Sequence, residues 1–199
     1  MLTEKDYEYL MDSKVNAWAL WEEDSMSFPS KGFTELESLL KPHIILLGLN
    51  PSKKLKVRNF HSTSTGDKTL RNSIQGVSKS YKKSKLKKIS GAFMTDLVHT
   101  QIMSDSNLVQ IPSDAFFEFE KILGKLGQEE YKIICFGGKV YEAAKGWLLN
   151  ETQRDHNIVE CDSAKLIKRQ IKLYKVMHYS YRFDVNVVGG QLSYLDKLF

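Results

Sequence analysis

The sequence predicts an α/β fold, a three-layer α/β/α sandwich around a central four-stranded parallel sheet. Two observations carry this. Short apolar runs bounded by Gly, Pro or polar turns recur near residues 44–47, 91–99, 131–136 and 172–177. The first of them, Ile44-Ile45-Leu46-Leu47, has no polar position at all, as expected of a strand covered on both faces. Between the runs lie stretches whose apolar residues recur at three- and four-residue spacing, the pattern of helices. Strands alternating with helices imply a parallel sheet with helices on both faces and right-handed crossovers. The 199 residues are 42% hydrophobic and 27% charged, which fits one globular domain over 1–199.

Taken in order, residues 4–22 read as an amphipathic helix. Thr3 is its N-cap, and Tyr7, Leu10, Met11, Val15, Trp18 and Trp21 line its apolar face. A loop with Pro29 and Gly32 leads to a short helix at 33–40, stopped by Pro42. The first strand follows, and after it a polar stretch over 52–88 that is too long for an idle connection. Leu70, Ile74 and Val77 place a helix inside it at about 67–78. The second strand is Gly91 to His99, interrupted by Asp96. Pro112 and Ser113 start a helix with Phe116, Phe117, Phe119, Ile122, Leu123 and Leu126 as its apolar residues. Tyr131 to Phe136 is the third strand, Gly137-Gly138 its turn, and 139–149 the next helix. That Gly-Gly turn lacks the GxGxxG spacing and the GKS/T of phosphate loops, so tight helix–sheet packing explains it. A fourth strand enters His178 to Asp184, and a tail with Gly189 and Gly190 leads to a helix at 191–199.

Charge narrows the function. Residues 53–88 carry twelve Lys or Arg and a single acid, Asp67, for a local +11 against +5 for the whole chain. The remainder is therefore −6. One basic segment on an otherwise acidic protein points to a polyanion partner such as nucleic acid, against the plainer reading of a solvated lysine-rich loop. No apolar run approaches the roughly 18 residues of a membrane span, and the acidic start MLTEKDYEYLMD is no signal peptide. Two cysteines, Cys135 and Cys161, make neither a metal site nor a disulfide framework. A cytoplasmic monomer without cofactor or metal is expected.

Three strand ends carry polar residues. Asn50 follows Gly48 and Leu49, Asp96 closes the second strand, and His178 follows the fourth. Ligands of open α/β sheets bind beyond the carboxyl ends of the strands, so these three fall where a site is expected. Gly48 lets a ligand approach the backbone closely. Each residue also has a plainer reading: a strand-to-loop turn at Asn50-Pro51, a hydrogen-bonded histidine at 178, a carboxylate paired with a lysine at 96.

Gly48-Leu49-Asn50-Pro51-Ser52 resembles the first motif of the uracil-DNA glycosylase superfamily, and most of all the mismatch-specific and single-strand-selective branch with Asn in that motif. His178-Tyr179-Ser180-Tyr181-Arg182 resembles the second motif. Met94 to Val98 is similar to the intervening strand that ends in a base-reading residue, and Cys135 to Ala144 to the strand–Gly–helix segment before the second motif. The resemblance covers residues 44–182. It implies hydrolysis of the N-glycosidic bond of a flipped-out uracil-like or modified base. Asn50 and His178 are then the catalytic residues, Asn50 holding water and His178 stabilising charge on the leaving base. Gly48, Leu49, Phe60 and Asp96 bind the base, with Phe60 stacked on it. Ser52, Lys53, Lys54, Ser180, Tyr181 and Arg182 contact DNA, Tyr181 or Arg182 filling the gap left by the base.

Two departures shape what is expected. The second motif has Tyr179 and Tyr181 in place of its prolines. Asp96 stands where uracil-specific members often have Asn, and an ionised Asp offers only acceptors. The iron–sulfur branch is excluded, because two cysteines cannot supply four ligands. The competing expectation is a module of the same fold that binds nucleic acid or a nucleotide without cleaving it. A small-molecule α/β hydrolase lacks support, since no nucleophile-elbow motif is present.

Overall fold

The structure, a computed structural model, describes residues 2–23, 25–77, 85–154, 169–179 and 185–199, without the side chains of 150–154, 185 and 186. Its elements in chain order are α1 (Glu4–Asp12), β1 (Ala17–Trp18), α2 (Phe33–Leu36), β2 (Lys41–Gly48), α3 (Thr65–Gln75), β3 (Ala92–Asp96), α4 (Ala115–Leu126), β4 (Glu130–Phe136), α5 (Gly138–Arg154), β5 (Gln170–Val176) and α6 (Val185–Leu198). The strand order is β1-β3-β2-β4-β5. β2 pairs parallel with β3 and β4, and β4 with β5. The four strands expected from sequence form the parallel body, but the sheet has five strands, because β1 adds an antiparallel edge beside β3.

That fifth strand corrects the helix expected over 4–22. α1 stops at Asp12, where Ser13 turns extended. Beyond it the apolar residues change period from helical to alternating. Trp18 and Leu20 pack on one side of the sheet, and Ala17, Ala19 and Trp21 on the other. In a run with almost no polar residue, a period of two leaves no visible trace. The chain continues the pairing past β1 through Ala19 N–H to Ala92 O at 2.8 Å and Gly91 N–H to Ala19 O at 3.0 Å.

Alternation along the strands builds the two outer layers. Ile45, Leu47, Phe93, Tyr131, Ile133 and Cys135 face one cluster, covered by α1, α2, α4 and α5 through Leu10, Leu36, Phe119, Leu123 and Ala144. Ile44, Leu46, Met94, Ile134, Phe136 and Val176 face the other, covered by α3 and α6 through Leu70, Ile74, Val188, Leu192 and Leu195. Both faces are buried, which is why the central strands carry no polar alternation. The last helix runs from Val185, so Gly189 and Gly190 are helical rather than a tail. Packing of Val188, Leu192 and Leu195 outweighs the ~1 kcal/mol that each helical Gly costs relative to Ala. No helix among the described residues is long and apolar enough to cross a membrane.

His61 closes the 3-10 turn Asn59–His61 that follows the first long loop. Its ring lies 5.2 Å from those of Trp21 and Phe28, and it is 6% exposed. Nε2 is 2.7 Å from the Leu20 carbonyl, which only accepts, so Nε2 bears the proton and Nδ1 is left buried with no partner. Burial pushes His61 down to about 4 from its ordinary 6.5. Below pH 6.5 the unfolded chain takes up a proton that the folded chain refuses until about pH 4, so stability is lost across that window as pH falls. From pH 7 to 4 the urea midpoint of the native protein should fall relative to that of His61→Gln, which keeps a donor for Leu20. Equal slopes would remove His61 from the acid response.

Candidate functional site

The chain leaves β2 to build β3 on one side and returns to build β4 on the other, so the strand order reverses between β2 and β4. Such a switch point leaves a crevice outside the carboxyl ends of the two strands. The topology sets Gly48 to Pro51 on one side of this point and the Gly137-Gly138 turn on the other. Gly137 holds φ at 98°, a conformation that a side chain would strain, and its N–H donates to Val176 O at 2.9 Å. Leu97 N–H donates to Gly48 O and Val98 N–H to Leu49 O, so the β2 and β3 ends stay paired beyond the strands. Leu49 itself is a core residue on the α4 side. It therefore offers the crevice its backbone and not its side chain.

Asn50 is half-buried at this mouth and acts first as a fastener. Its Nδ2 donates to the carbonyls of Pro51 at 3.1 Å, Gln101 at 3.1 Å and Met103 at 2.9 Å. The two hydrogens of the amide nitrogen are thus shared among Pro51 and the 101–110 loop. The chemistry left to this side chain is that of Oδ1, an acceptor.

Behind Asn50 lies a buried polar cluster. Gly48 stands opposite Asp96 in the parallel register. A Cβ at residue 48 would sit 2.0 Å from Asp96 Oδ1 and 3.7 Å from Phe60 Cζ. Asp96 is 2% exposed, and Asn59 Nδ2 donates to its Oδ2. Burial, with a smaller contribution from the Asp67 carboxylate, pushes Asp96 up to about 8, against the opposing Asn59 hydrogen bond. Burial thus works against the ionised, acceptor-only form of Asp96. At neutral pH the carboxyl keeps its proton and offers one donor and one acceptor, the same pair as an amide. Asp67, in the first turn of α3, is likewise pushed up by burial and accepts from the Ser62 and Ser64 hydroxyls. Tyr179 completes the cluster, its phenol pushed well above its ordinary value by burial and then by Asp67 and Asp96.

Aromatic rings connect this cluster to His178. The Tyr179 ring lies 6.4 Å from Phe60, 5.0 Å edge-on from Phe136 and 4.5 Å from the His178 ring, stacked at 22°. Phe60, expected to stack on a base, is fully buried against Gly48 and Tyr179. His178 is half-buried beyond β5, and burial lowers its pKa, which favours the neutral imidazole. Ser52, Lys53 and Lys54 are exposed just past Pro51. Ser180, Tyr181 and Arg182 lie outside the described residues, as do Cys161 and Lys79, Lys82 and Lys83. Cys135 is buried in the sheet, where burial pushes its thiol up to about 12. Among the described residues no group of three or more His, Cys, Asp or Glu could hold a metal ion.

Sequence reasoning missed Asn59, Asp67 and Tyr179 as members of the site. Asp67 did leave a signal, as the lone acid in a basic stretch. No family model matches the chain, and no curated protein matches it.

Two variants test the cluster. Gly48→Ala forces the new methyl into Asp96 and should cost about 1–3 kcal/mol, the usual penalty of overpacking, read as a lower urea midpoint. Asp96 binds a proton in the folded chain up to about pH 8 but in the unfolded chain only near its ordinary 3.8. The stability contributed by this carboxyl should therefore fall as pH rises from about 4 to 8 and level off above, a component opposite in sign to that of His61. Asp96→Asn removes the titrating group while keeping the shape, and should abolish this component. A native slope retained in Asp96→Asn would show that the carboxyl is ionised throughout.

Proposed function

We propose that this chain is a DNA-base glycosylase-like hydrolase that cleaves the N-glycosidic bond of a flipped uracil-like or modified base. The observation that supports it is the continuous run of contacts from Gly48 through Asp96 and Phe60 to Tyr179 and His178, which gathers the ends of β2, β3 and β5 at the switch-point crevice. Asp96, buried with Oδ2 accepting from Asn59 and Oδ1 against Gly48, supports the crevice wall from behind. The neutral His178 imidazole donates to a base carbonyl and stabilises the negative charge that develops as the bond breaks. Asn50 Oδ1 accepts from the attacking water. The exposed lysines 53, 54 and 56 neutralise phosphates and give affinity that falls with salt.

One observation favours a second reading, a module that binds nucleic acid without cleaving it. The Asn50 amide already serves three backbone carbonyls, which explains its presence without chemistry. An alkali strand-cleavage assay separates the two. Single- and double-stranded oligonucleotides carrying uracil, hypoxanthine, xanthine or hydroxymethyluracil are incubated with the native chain, Asn50→Ala and His178→Ala. The expected result is cleavage at one of these bases, reduced on the order of a hundredfold or more in His178→Ala, as for loss of a charge-stabilising donor. Salt-sensitive binding with no product on any base would move the chain to the binding class.

A further inference from the structure

A cavity of about 490 Å³ opens on the other face of the sheet from the Asp96–Tyr179 cluster. Its apolar lining, Leu97, Val98, Ala115 and Ile122, belongs to the core that α1 and α4 cover, whereas Phe60 and Tyr179 pack in the opposite core. None of Gly48, Asn50, Phe60, Asp96 or His178 lines it. The volume falls within the range, roughly 300–1,000 Å³, of sites for small molecules.

One side of the cavity is set by a buried chain of hydrogen bonds. Asn16, 4% exposed, donates Nδ2 to Leu10 O at 2.8 Å and accepts at Oδ1 from the Thr95 hydroxyl at 2.7 Å. The Thr95 hydrogen is committed to that oxygen or, at 3.3 Å, to Asp96 O. Thr95 Oγ1 therefore accepts from His99, whose Nε2 is 3.2 Å away. This assigns the ring proton to Nε2 and leaves Nδ1 as an acceptor. Burial lowers the pKa of His99, against weaker upward pulls from the Asp96 carbonyl and Glu118, which favours the neutral ring.

The charged groups of the lining are mostly acids. Glu118 is ion-paired with Lys121 at 2.8 Å, and the Lys121 ammonium also sits over the Phe117 ring. Asp12 ends α1, where the helix dipole is already negative and no basic residue stands in the last turn. Arg58 feels the Asp12 charge but donates Nη1 to the carbonyls of Ser13 and Asn16, at 3.1 and 3.3 Å. Asp114 is the N-cap residue of α4, yet its side chain makes no capping hydrogen bond. Carboxylates and an oriented imidazole acceptor thus share one cavity with an apolar wall, a combination that an exposed acidic patch lacks.

We propose that this cavity binds a small organic cation, an alkyl amine or alkyl guanidinium, with its charged head on Asp12 and Asp114, a hydrogen bond to His99 Nδ1, and its alkyl stem on Leu97, Val98 and Ile122. Every acceptor there calls for a donor, and the apolar wall calls for the stem. The site needs neither DNA nor a reaction, so it stands apart from the function proposed above.

The test is calorimetric titration of the full chain at roughly physiological salt, where diffuse attraction is screened. The probes are agmatine, 1,5-diaminopentane and the neutral 1,5-pentanediol. Saturable one-to-one binding of a cation is expected, with none of the diol, and the imidazole nitrogen resonances of His99 should shift along the same saturation curve. The double variant Asp12→Asn with Asp114→Asn keeps the shape and should weaken binding about tenfold or more, the scale of one hydrogen bond to a charged group. Glu129→Gln, at an exposed carboxylate outside the cavity, should change nothing. Equal affinity in the native chain and the double variant, an equal loss in Glu129→Gln, or no saturable binding of either cation would overturn the site. A tripeptide with arginine between two glycines is the last probe. Tighter binding of it than of agmatine would overturn the small-molecule assignment in favour of a partner's side chain.

Discussion

Asp96 occupies the end of β3 only because residue 48 has no side chain. The Asp96 Oδ1 atom fills the place where a β-carbon would stand on the neighbouring strand. From that contact the rest of the crevice follows. Asp96 is sealed from water, so it keeps its proton. A neutral carboxyl tolerates Asp67 and the Tyr179 phenol as neighbours, which two ionised groups would not. Phe60 and Tyr179 then close the cluster from the α3 side, and the Tyr179 ring positions His178 at the end of β5.

The result is a division of charge by depth. The exposed surface past Pro51 is cationic, while the acids beneath it, Asp67 and Asp96, are buried and both have their pKa raised by that burial. An anionic polymer approaching this edge meets lysines before it meets any carboxylate, and the buried acids add little repulsion while protonated. His178 and His61 are both biased toward their neutral forms by burial, so neither contributes to that cationic surface near neutral pH.

The parallel body of the fold was legible because its strands are short, apolar and separated by helical spacing. The position of Asn50, Asp96 and His178 at strand ends was legible for the same reason. The edge strand was not, since in Ala17 to Trp21 every residue is buried and periodicity has nothing to contrast. The protonation of Asp96 was hidden too, because it depends on the register that sets Gly48 beside it. Phe60 illustrates a different limit. Its place after the first motif was readable, but only packing reveals that Gly48 and Tyr179 already cover it. The order of the 101–110 loop comes from Asn50 and Lys139, both distant in sequence, so no local pattern announces it.

Asn50 ties the end of β2 to a loop that begins fifty-one residues later. A residue with that duty is retained by selection on folding whether or not any reaction depends on it. A substitution at position 50 would therefore loosen the 101–110 loop whether or not the side chain takes part in any reaction. The scaffold alone thus accounts for Asn50. The informative positions for ancestry of function are the ones with no second duty in the scaffold.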